Sequence, residues 1–290
     1  MKRKEYGFTI LEILTVMVVI AILVGVLIPA LTMVQRIAKE TQQRAQLATI
    51  EFALEAFKGD YGDYPPSDFL NSADLDYCGA QMLSEALLGW DLMGFHPDSE
   101  WNGDGQDDDD NDEIYPYPLD QDNPDDIANL KERRGPYLEL ATTKVFQLDG
   151  LFTNTLQLKG DTYVLCDVFG IKKVRLSDGS IVRAGTPILY YRANTSKKVM
   201  NETNWNENIY NVYDNQILVK IVTDKKNLTA QEESLTLADT SSSFRNFRDF
   251  ITDPKATTPT MIWPYHPDSY ILITAGDDGL YGTDDDICNF

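Results

Sequence analysis

The stretch that decides the fold lies at the N-terminus and reads KRKEYGFTILEILTVMVVIAILVGVLIPAL over residues 2–31. Three basic residues, 2–4, precede a run of 24 residues, 8–31, in which Glu12 is the one charge. An α-helix of about 20 apolar residues crosses the hydrocarbon core of a bilayer. Basic residues ahead of such a run are typical of segments addressed to a membrane. The sequence therefore predicts one membrane-spanning helix over residues 8–31.

Three interpretations of this segment differ in its fate after synthesis. A cleaved secretory signal has an apolar core of about 7–15 residues before an A-x-A-like site, whereas this core is longer and ends in Pro29-Ala30-Leu31. A plain anchor does not explain Glu12, because placing a carboxylate at the bilayer centre costs about 2.5–3.5 kcal/mol of insertion free energy. The alternative within this interpretation is that Glu12 lies at the interface and reaches the lipid headgroups. The third interpretation is a segment that the membrane stores before it moves elsewhere.

The order of residues in this segment resembles a known export signal. A basic leader, then Gly7, Phe8 and Glu12, then an unbroken apolar run with Pro29 resemble the class III leader of type IV prepilins and type II secretion pseudopilins. The resemblance implies that residues 1–7 are a basic leader peptide. A membrane aspartyl peptidase would cut between Gly7 and Phe8 and methylate the new amine of Phe8. Residues 8–31 are then the transmembrane and assembly helix.

Glu12 has a physical role in this scheme. It lies four residues beyond the new N-terminus, so the Phe8 ammonium of one subunit can meet the Glu12 carboxylate of a neighbour inside an apolar bundle. An unpaired charge there is penalised, so the pair sets the register of assembly. Gly25 and Pro29 lie in the same run. Because proline removes a backbone donor and clashes with the preceding turn, a kink or local opening of the helix is predicted there.

Small and apolar residues continue at helical spacing beyond the apolar run. They indicate that the helix extends over residues 32–58, with Gly59 as a plausible stop. A helix of roughly 50 residues is about 75 Å long. We expect half of it in the membrane and half packed on a globular head formed by residues 59–290.

Patterns in the head predict an α+β fold. Helices are expected over 80–88, closed by Gly89, and around 243–251. Runs rich in β-branched and aromatic residues predict strands at 162–169, 187–192, 216–222 and 269–274, and Asp178-Gly179 predicts a hairpin that joins 172–177 to 180–184. The fold class is therefore a long N-terminal transmembrane helix packed on an antiparallel β-sheet head, a pilin-like arrangement. The hairpin separates residues 167–170 from the next strand, so the head resembles an enlarged version of the G-type pseudopilin head.

The chain is strongly acidic. Its 25 Lys and Arg residues against 46 Asp and Glu residues give a net charge of -21, which disfavours nucleic-acid binding through a basic surface. Residues 95–126 are predicted to form an acidic loop. Read as an EF-hand from Glu100, this loop has Asn111 where the bidentate glutamate is required. A solvated loop is therefore favoured over a cation site.

A second acidic stretch reads AGDDGLYGTDDDI over residues 275–287. Aspartates separated by glycines can fold around Ca²⁺, which takes about six to eight oxygen ligands. The stretch resembles the C-terminal loop of G-type pseudopilins, and the resemblance implies that Asp278, Asp284 and Asp286 bind Ca²⁺, with Asp285 as an additional ligand. A solvated acidic tail is the alternative interpretation. If Ca²⁺ binds, folding should depend on it.

Other reactive side chains show no catalytic pattern. Cys78, Cys166 and Cys288 form no CxxC pair, which disfavours a zinc or thioredoxin-type site; they are either buried small residues or, outside the cytoplasm, include one oxidised pair. His96 and His266 both stand in His-Pro-Asp-Ser, which is typical of turns. The G-x-S-x-G, P-loop and GxGxxG motifs are absent. No enzyme activity is therefore expected.

The resemblance implies a structural role. A G-type pseudopilin is a single-pass protein of the bacterial inner membrane with its head in the periplasm. It is processed by prepilin peptidase and polymerises with itself and other pseudopilins, on an inner-membrane assembly platform, into a periplasmic fibre for type II protein secretion. Two other classes stay open: an adhesive or substrate-binding type IV pilin-like protein, and a membrane-anchored hydrolase.

Overall fold

The computed structural model describes residues 9–67, 77–106, 113–116, 119–120, 122–176, 179–200, 205–226, 228, 236–237, 243–258 and 261–290. The chain forms two compact units, residues 1–42 and 43–290.

The first unit consists of the N-terminal part of one long helix, α1, which spans Ile10–Tyr61 and has 52 residues. Every large apolar side chain from Ile10 to Ile37 is at least 44% exposed. By length and composition α1 can cross a membrane, and its most apolar window has a mean hydropathy of 3.0 and no buried residue. The chain stays α-helical through Gly25 and Pro29, and a kink at these residues stays a prediction.

The C-terminal part of α1 belongs to the second unit and buries one face. Its buried apolar side chains recur at helical spacing and are Leu47, Ile50, Ala53, Leu54 and Phe57. The helix passes Gly59 and ends at Tyr61, where Gly62 adopts a φ of 87° and its N–H donates to the Lys58 carbonyl at 2.8 Å. The predicted stop at Gly59 was wrong, because a glycine inside a helix costs only about 1 kcal/mol, whereas the left-handed residue that closes a helix favours glycine.

Seven strands in the described residues form three antiparallel sheets. The first two sheets pair β1 (Val145–Gln147) with β2 (Tyr163–Leu165) and β3 (Lys172–Arg175) with β4 (Ile181–Ala184). The third has the order β5 (Leu189–Arg192), β6 (Tyr270–Thr274), β7 (Ile287–Cys288). The antiparallel head and the strands predicted within 162–169, 187–192 and 269–274 are confirmed, as are the two strands of the hairpin. Asp178, in its predicted turn, lies outside the described residues.

The second unit also contains helices. Besides α1 they are α2 (Gly79–Leu88), α3 (Pro124–Glu132), α4 (Leu148–Leu151), α5 (Gln216–Asp224) and α6 (Ser243–Ile251). α2 and α6 confirm the predicted helices, and Gly89 follows α2 with a φ of 90°. The fold class is α+β as predicted: a long N-terminal helix followed by antiparallel sheets, consistent with a pilin-like fold.

The structure differs from the sequence prediction at two segments of the head. Residues 216–222 form α5 rather than a strand; their β-branched content favours a strand, but buried positions such as Leu218, Ile221 and Val222 recur at helical spacing. The acidic loop ends earlier than predicted, because residues 124–126 form the first turn of α3. Asn123 caps this helix by accepting the Asp125 N–H at 3.1 Å.

The β5–β6 pair separates two apolar clusters. One cluster holds side chains of α5 and α6, and the other holds side chains of α1 and most of those of α2. Alternate strand residues fall into the two clusters: Leu189, Tyr191, Ile271 and Ile273 into the first, and Tyr190, Tyr270 and Leu272 into the second. Both faces of these strands are therefore covered, as their nearly continuous apolar sequence requires.

Candidate assembly segment and aspartate loop

The first candidate site is the start of α1. Gly7 and Phe8, the predicted cleavage and methylation residues, lie outside the described residues, so both assignments stay predictions. Thr9 caps the helix together with Glu12. The Glu12 N–H donates to Thr9 Oγ1 at 3.2 Å, and the Thr9 N–H donates to Glu12 Oε2 at 2.8 Å. This reciprocal pair is a capping box.

The capping box gives the Glu12 carboxylate local donors in a single chain. The Thr9 hydroxyl lies 2.9 Å from the same carboxylate oxygen that accepts the Thr9 N–H. Both side chains are exposed, so a donor from another molecule can reach the carboxylate. Thr-x-x-Glu is the sequence signature of this motif, a signal that the argument from charge alone did not use.

Beyond Glu12, α1 has an uncharged and largely apolar surface that extends to Arg36. Arg36 forms an ion pair with Glu40 on the next turn, at 2.8 Å between Nε and Oε1. A continuous apolar surface along more than 20 helical residues marks a contact with lipid or with another protein. The segment is therefore suited to lipid or to packing against other apolar helices.

The second candidate site is the aspartate loop, residues 275–287, which joins β6 to β7. Two turns bring its acidic ends together, and Asp285 Oδ2 accepts the N–H groups of Asp277 at 2.7 Å and Asp278 at 3.0 Å. Gly276 allows this approach, since its φ is 59° and a Cβ there would lie 2.5 Å from the Asp285 carbonyl oxygen. The Asp286 carboxylate accepts the Gly282 N–H at 2.7 Å.

Carboxylates of the aspartate loop converge on the hydroxyl of Thr283. Thr283 Oγ1 lies 2.7 Å from Asp285 Oδ1 and 3.2 Å from Asp286 Oδ1, and the Asp278 carboxylate interacts with the same hydroxyl. The Leu280 carbonyl lies 3.4 Å from this oxygen. A hydroxyl carries one proton, so it cannot donate to all these acceptors at once.

The aspartates of the loop differ in electrostatic environment. Burial raises the pKa of Asp286 to about 8, with further upward contributions from Asp285 and Asp278. Burial also raises the pKa of Asp278. At Asp285 burial acts in the same direction, but the hydrogen bonds from Thr283 and from backbone N–H groups outweigh it and lower the pKa. Three of the four predicted ligands, Asp278, Asp285 and Asp286, therefore meet at the Thr283 hydroxyl, and Asp284 is exposed.

The base of the aspartate loop is fixed by contacts that need no ion. The Tyr281 side chain is fully buried, and its hydroxyl donates to the Pro187 carbonyl at 2.5 Å. The Thr274 hydroxyl donates to the Ile287 carbonyl at 2.8 Å. The Lys226 ammonium donates to the Asp278 carbonyl. Contacts within the protein therefore hold the loop on the head.

The cysteines, the histidines and one buried glutamate are further reactive side chains of the head. All three cysteines are free, and burial raises the pKa of Cys78 to about 12. His96 and His266 occupy separate turns, each closed by a hydrogen bond from the serine three residues on. Glu85, which no sequence motif marks, is a buried carboxylate in α2 that accepts the Tyr77 hydroxyl at 2.6 Å. Burial raises the pKa of Glu85.

Comparison with known proteins identifies the N-terminal segment. Residues 2–28 match the family model described as the prokaryotic N-terminal methylation motif. No curated protein and no solved structure matches the chain. The motif is a type IV prepilin-like signal and indicates a pilin-like substrate of prepilin peptidase, and the apolar helix is suited to membrane anchoring. The motif marks a structural pilin-like protein rather than an enzyme family.

Proposed function

We propose that this chain is a structural pseudopilin subunit of G type. Prepilin peptidase removes residues 1–7 and methylates Phe8, and an inner-membrane platform then assembles the protein with itself and with other pseudopilins into a periplasmic fibre for type II secretion. The observation that carries the proposal is the matched motif followed by an apolar helix with exposed side chains up to Ile37. The proposed role is mechanical, with the head in the periplasm.

The apolar surface of α1 suits both states of a pseudopilin, the subunit in the membrane and the subunit in the fibre. In the membrane, lipid covers the side chains of residues 10–34. In a fibre, equivalent helices cover them, and little apolar surface is exposed to water in either state. The exchange between lipid and neighbouring helices is consistent with a subunit that is stored in the membrane and then moved.

Glu12 supports directional assembly. In one chain its carboxylate accepts from Thr9, as the capping box shows. A neighbour's Phe8 ammonium provides a charged donor, and an ion pair at 4 Å is worth about 4 kcal/mol at an effective dielectric of about 20 before desolvation. Glu12 therefore exchanges a local partner for an intermolecular one when subunits meet in register.

We also propose that the aspartate loop binds Ca²⁺. Asp278, Asp285 and Asp286 surround one hydroxyl with hard oxygen atoms, and the Leu280 carbonyl adds another. Such a donor set suits Ca²⁺. A cation would offset the repulsion among the carboxylates and tighten the link between β6 and β7. Asp284 is a further proposed ligand, on the resemblance to G-type pseudopilins.

A cavity in the head favours a second candidate function, an adhesive or substrate-binding pilin-like protein. It has a volume of about 250 Å³, and its described lining includes Arg192, Asn194, Ser196, Trp205, Asn208 and Asn211. The Trp205 ring packs edge-on against Tyr213, with 4.6 Å between ring centroids. Amide groups beside an aromatic ring suit a hydroxyl-rich ligand such as a sugar.

Deletion of the chain in a type II-secreting bacterium separates these two functions. If the chain is a pseudopilin, exported proteins should accumulate in the periplasm, and both the wild-type chain and a Trp205→Ala variant should restore secretion. Immunoblots of periplasm and medium measure this. Met261→Ala, an exposed apolar side chain outside the described lining of the cavity, is the matched control. Normal secretion in the deletion strain, with polysaccharide binding lost in Trp205→Ala alone, would instead establish the adhesive function.

A further inference from the structure

His96, Asp98 and Glu132 form a cluster on the head that the proposed function does not use. His96 Nδ1 lies 3.8 Å from Asp98 Oδ2, and His96 Nε2 lies 3.7 Å from Glu132 Oε2. One ligand atom from each of the three residues lies within 4.8 Å of the other two. The cluster combines one imidazole with two carboxylates, a donor set found around metal ions in proteins.

Backbone pairing brings these distant residues together. The Phe95 N–H donates to the Arg134 carbonyl at 2.8 Å, and the Arg134 N–H donates back at 2.9 Å. This antiparallel pair places His96 beside the end of α3, where Glu132 is the last residue. The His96 N–H donates to the Tyr115 hydroxyl at 3.0 Å, which fixes the backbone at the cluster. The positions of the ligands therefore depend on the fold rather than on mobile side chains alone.

The His96 ring is buried while both carboxylates face solvent. Its side chain is 6% exposed, against 74% for Asp98 and 64% for Glu132. Nδ1 accepts the Asp98 N–H at 3.3 Å, and Nε2 faces the Glu132 carboxylate at 3.7 Å. Burial lowers the pKa of His96, and the neutral ring is the form that binds metals. A cation bound to one ring nitrogen would lie between this buried ring and the two exposed carboxylates.

We propose that His96, Asp98 and Glu132 bind a divalent transition metal ion, with Zn²⁺ as the best fit. Imidazole suits Zn²⁺ and its neighbours in the periodic table, whereas Ca²⁺ takes oxygen ligands. Zinc bonds to nitrogen and oxygen are about 2.0–2.2 Å long, so two ligands on one ion lie roughly 3.3–3.6 Å apart. One ligand atom from each of the three residues lies within 4.8 Å of the other two, and rotation of the two exposed carboxylates can bring them onto one ion held by a single ring nitrogen. Water completes the coordination on the exposed side.

The metal would join the first residues of the acidic loop to the end of α3. Asp98 precedes most of the acidic residues of this region in the chain, and Glu132 follows them. Cross-linking the ends of a loop reduces the entropy of the unfolded chain, and the added positive charge offsets carboxylate repulsion. The expected role is therefore to hold the turn at His96 against the end of α3.

Zinc titration calorimetry on the full-length, tag-free protein in detergent tests this inference, with saturating Ca²⁺ present. The wild-type chain should bind one Zn²⁺ at this cluster. Loss of even a supporting group costs about 10–100-fold in metal affinity, so Glu132→Gln and Asp98→Asn should weaken binding at least tenfold. These two side chains are exposed, and both variants should fold normally.

Two controls make the outcome specific. Glu139→Gln changes an exposed glutamate outside the cluster and should leave Zn²⁺ affinity unchanged. Asp286→Asn, in the aspartate loop, should also bind Zn²⁺ as the wild type does, which separates this site from the proposed Ca²⁺ site. Equal Zn²⁺ affinity in the wild type and Glu132→Gln, or no Zn²⁺ binding to the wild type, would overturn the proposal. The d–d absorption of bound Co²⁺ gives a second measurement of the same variants.

Discussion

Glu12→Gln should enter the membrane and fold normally but give at least about tenfold fewer fibres. Glutamine retains the acceptor oxygen of a capping box, so the start of α1 is preserved while the charge is lost. The Phe8 ammonium of the neighbouring subunit then has no ionic partner. A net loss of about 1.4 kcal/mol of binding free energy per contact weakens association tenfold. This loss is smaller than the energy of about 4 kcal/mol proposed for the Phe8–Glu12 ion pair before desolvation. Sedimentation of sheared fibres, followed by immunoblotting, measures the yield.

Two further variants separate the charge of Glu12 from its role as a cap. Thr9→Ala removes the hydroxyl of the capping box and retains the carboxylate, so it should assemble. Glu40→Gln removes an exposed acid of the same helix whose ion pair with Arg36 lies outside the apolar segment, and should also assemble. Carbonate-resistant membrane fractions verify insertion of each variant. Wild-type fibre yield from Glu12→Gln, or equal loss from Thr9→Ala, would contradict the ion-pair account.

Removing Ca²⁺ should lower the thermal stability of the head by several degrees. A ligand present at 100 times its Kd stabilises a protein by about 2.7 kcal/mol, and for a unit of this size each kcal/mol shifts Tm by about 2–4 °C. We therefore expect a fall in Tm of roughly 5–10 °C when EGTA replaces Ca²⁺. Differential scanning calorimetry of the detergent-solubilised protein measures it.

Substitutions in the aspartate loop test which groups hold the ion. Asp286→Asn should abolish the difference in Tm between Ca²⁺ and EGTA, because its half-buried carboxylate lies beside Thr283, where the proposed ligands meet. Asp277→Asn is the matched control: it changes an exposed aspartate of the same loop that is not a predicted ligand, and should retain the full difference. The same Tm with Ca²⁺ and with EGTA in the wild type would contradict the calcium proposal. It would support the alternative interpretation of residues 275–287 as a solvated acidic tail.

Local signals in the sequence were sufficient for the parts of the fold that depend on neighbours in the chain. The apolar run predicts the N-terminal portion of α1 because length and composition alone decide membrane compatibility. Gly89 marks the end of α2, and the β3–β4 hairpin follows from two short strand patterns around a turn. The aspartate loop also forms between residues that are close in the sequence, since its two groups of aspartates, 277–278 and 284–286, are fewer than ten residues apart.

The missed features depend on tertiary contacts. Residues 216–222 have the composition of a strand, but they form α5. The buried side chains of α5 pack in the same apolar cluster as side chains of β5 and β6, and this packing overrides the strand propensity of the β-branched residues. Glu132 lies 36 residues beyond His96 in the sequence, and only the pairing of Phe95 with Arg134 brings the two together. No periodicity or motif in a single sequence carries that information.

Intact mass and N-terminal sequencing of the protein from membranes of a bacterium with active prepilin peptidase test the central claim most directly. The account predicts a chain that begins at N-methylated Phe8 and lacks the mass of residues 1–7. A Gly7→Val variant should retain its leader in the same cells and provides the control. A wild-type chain that still begins at Met1 would contradict the account and identify the apolar helix as a permanent anchor.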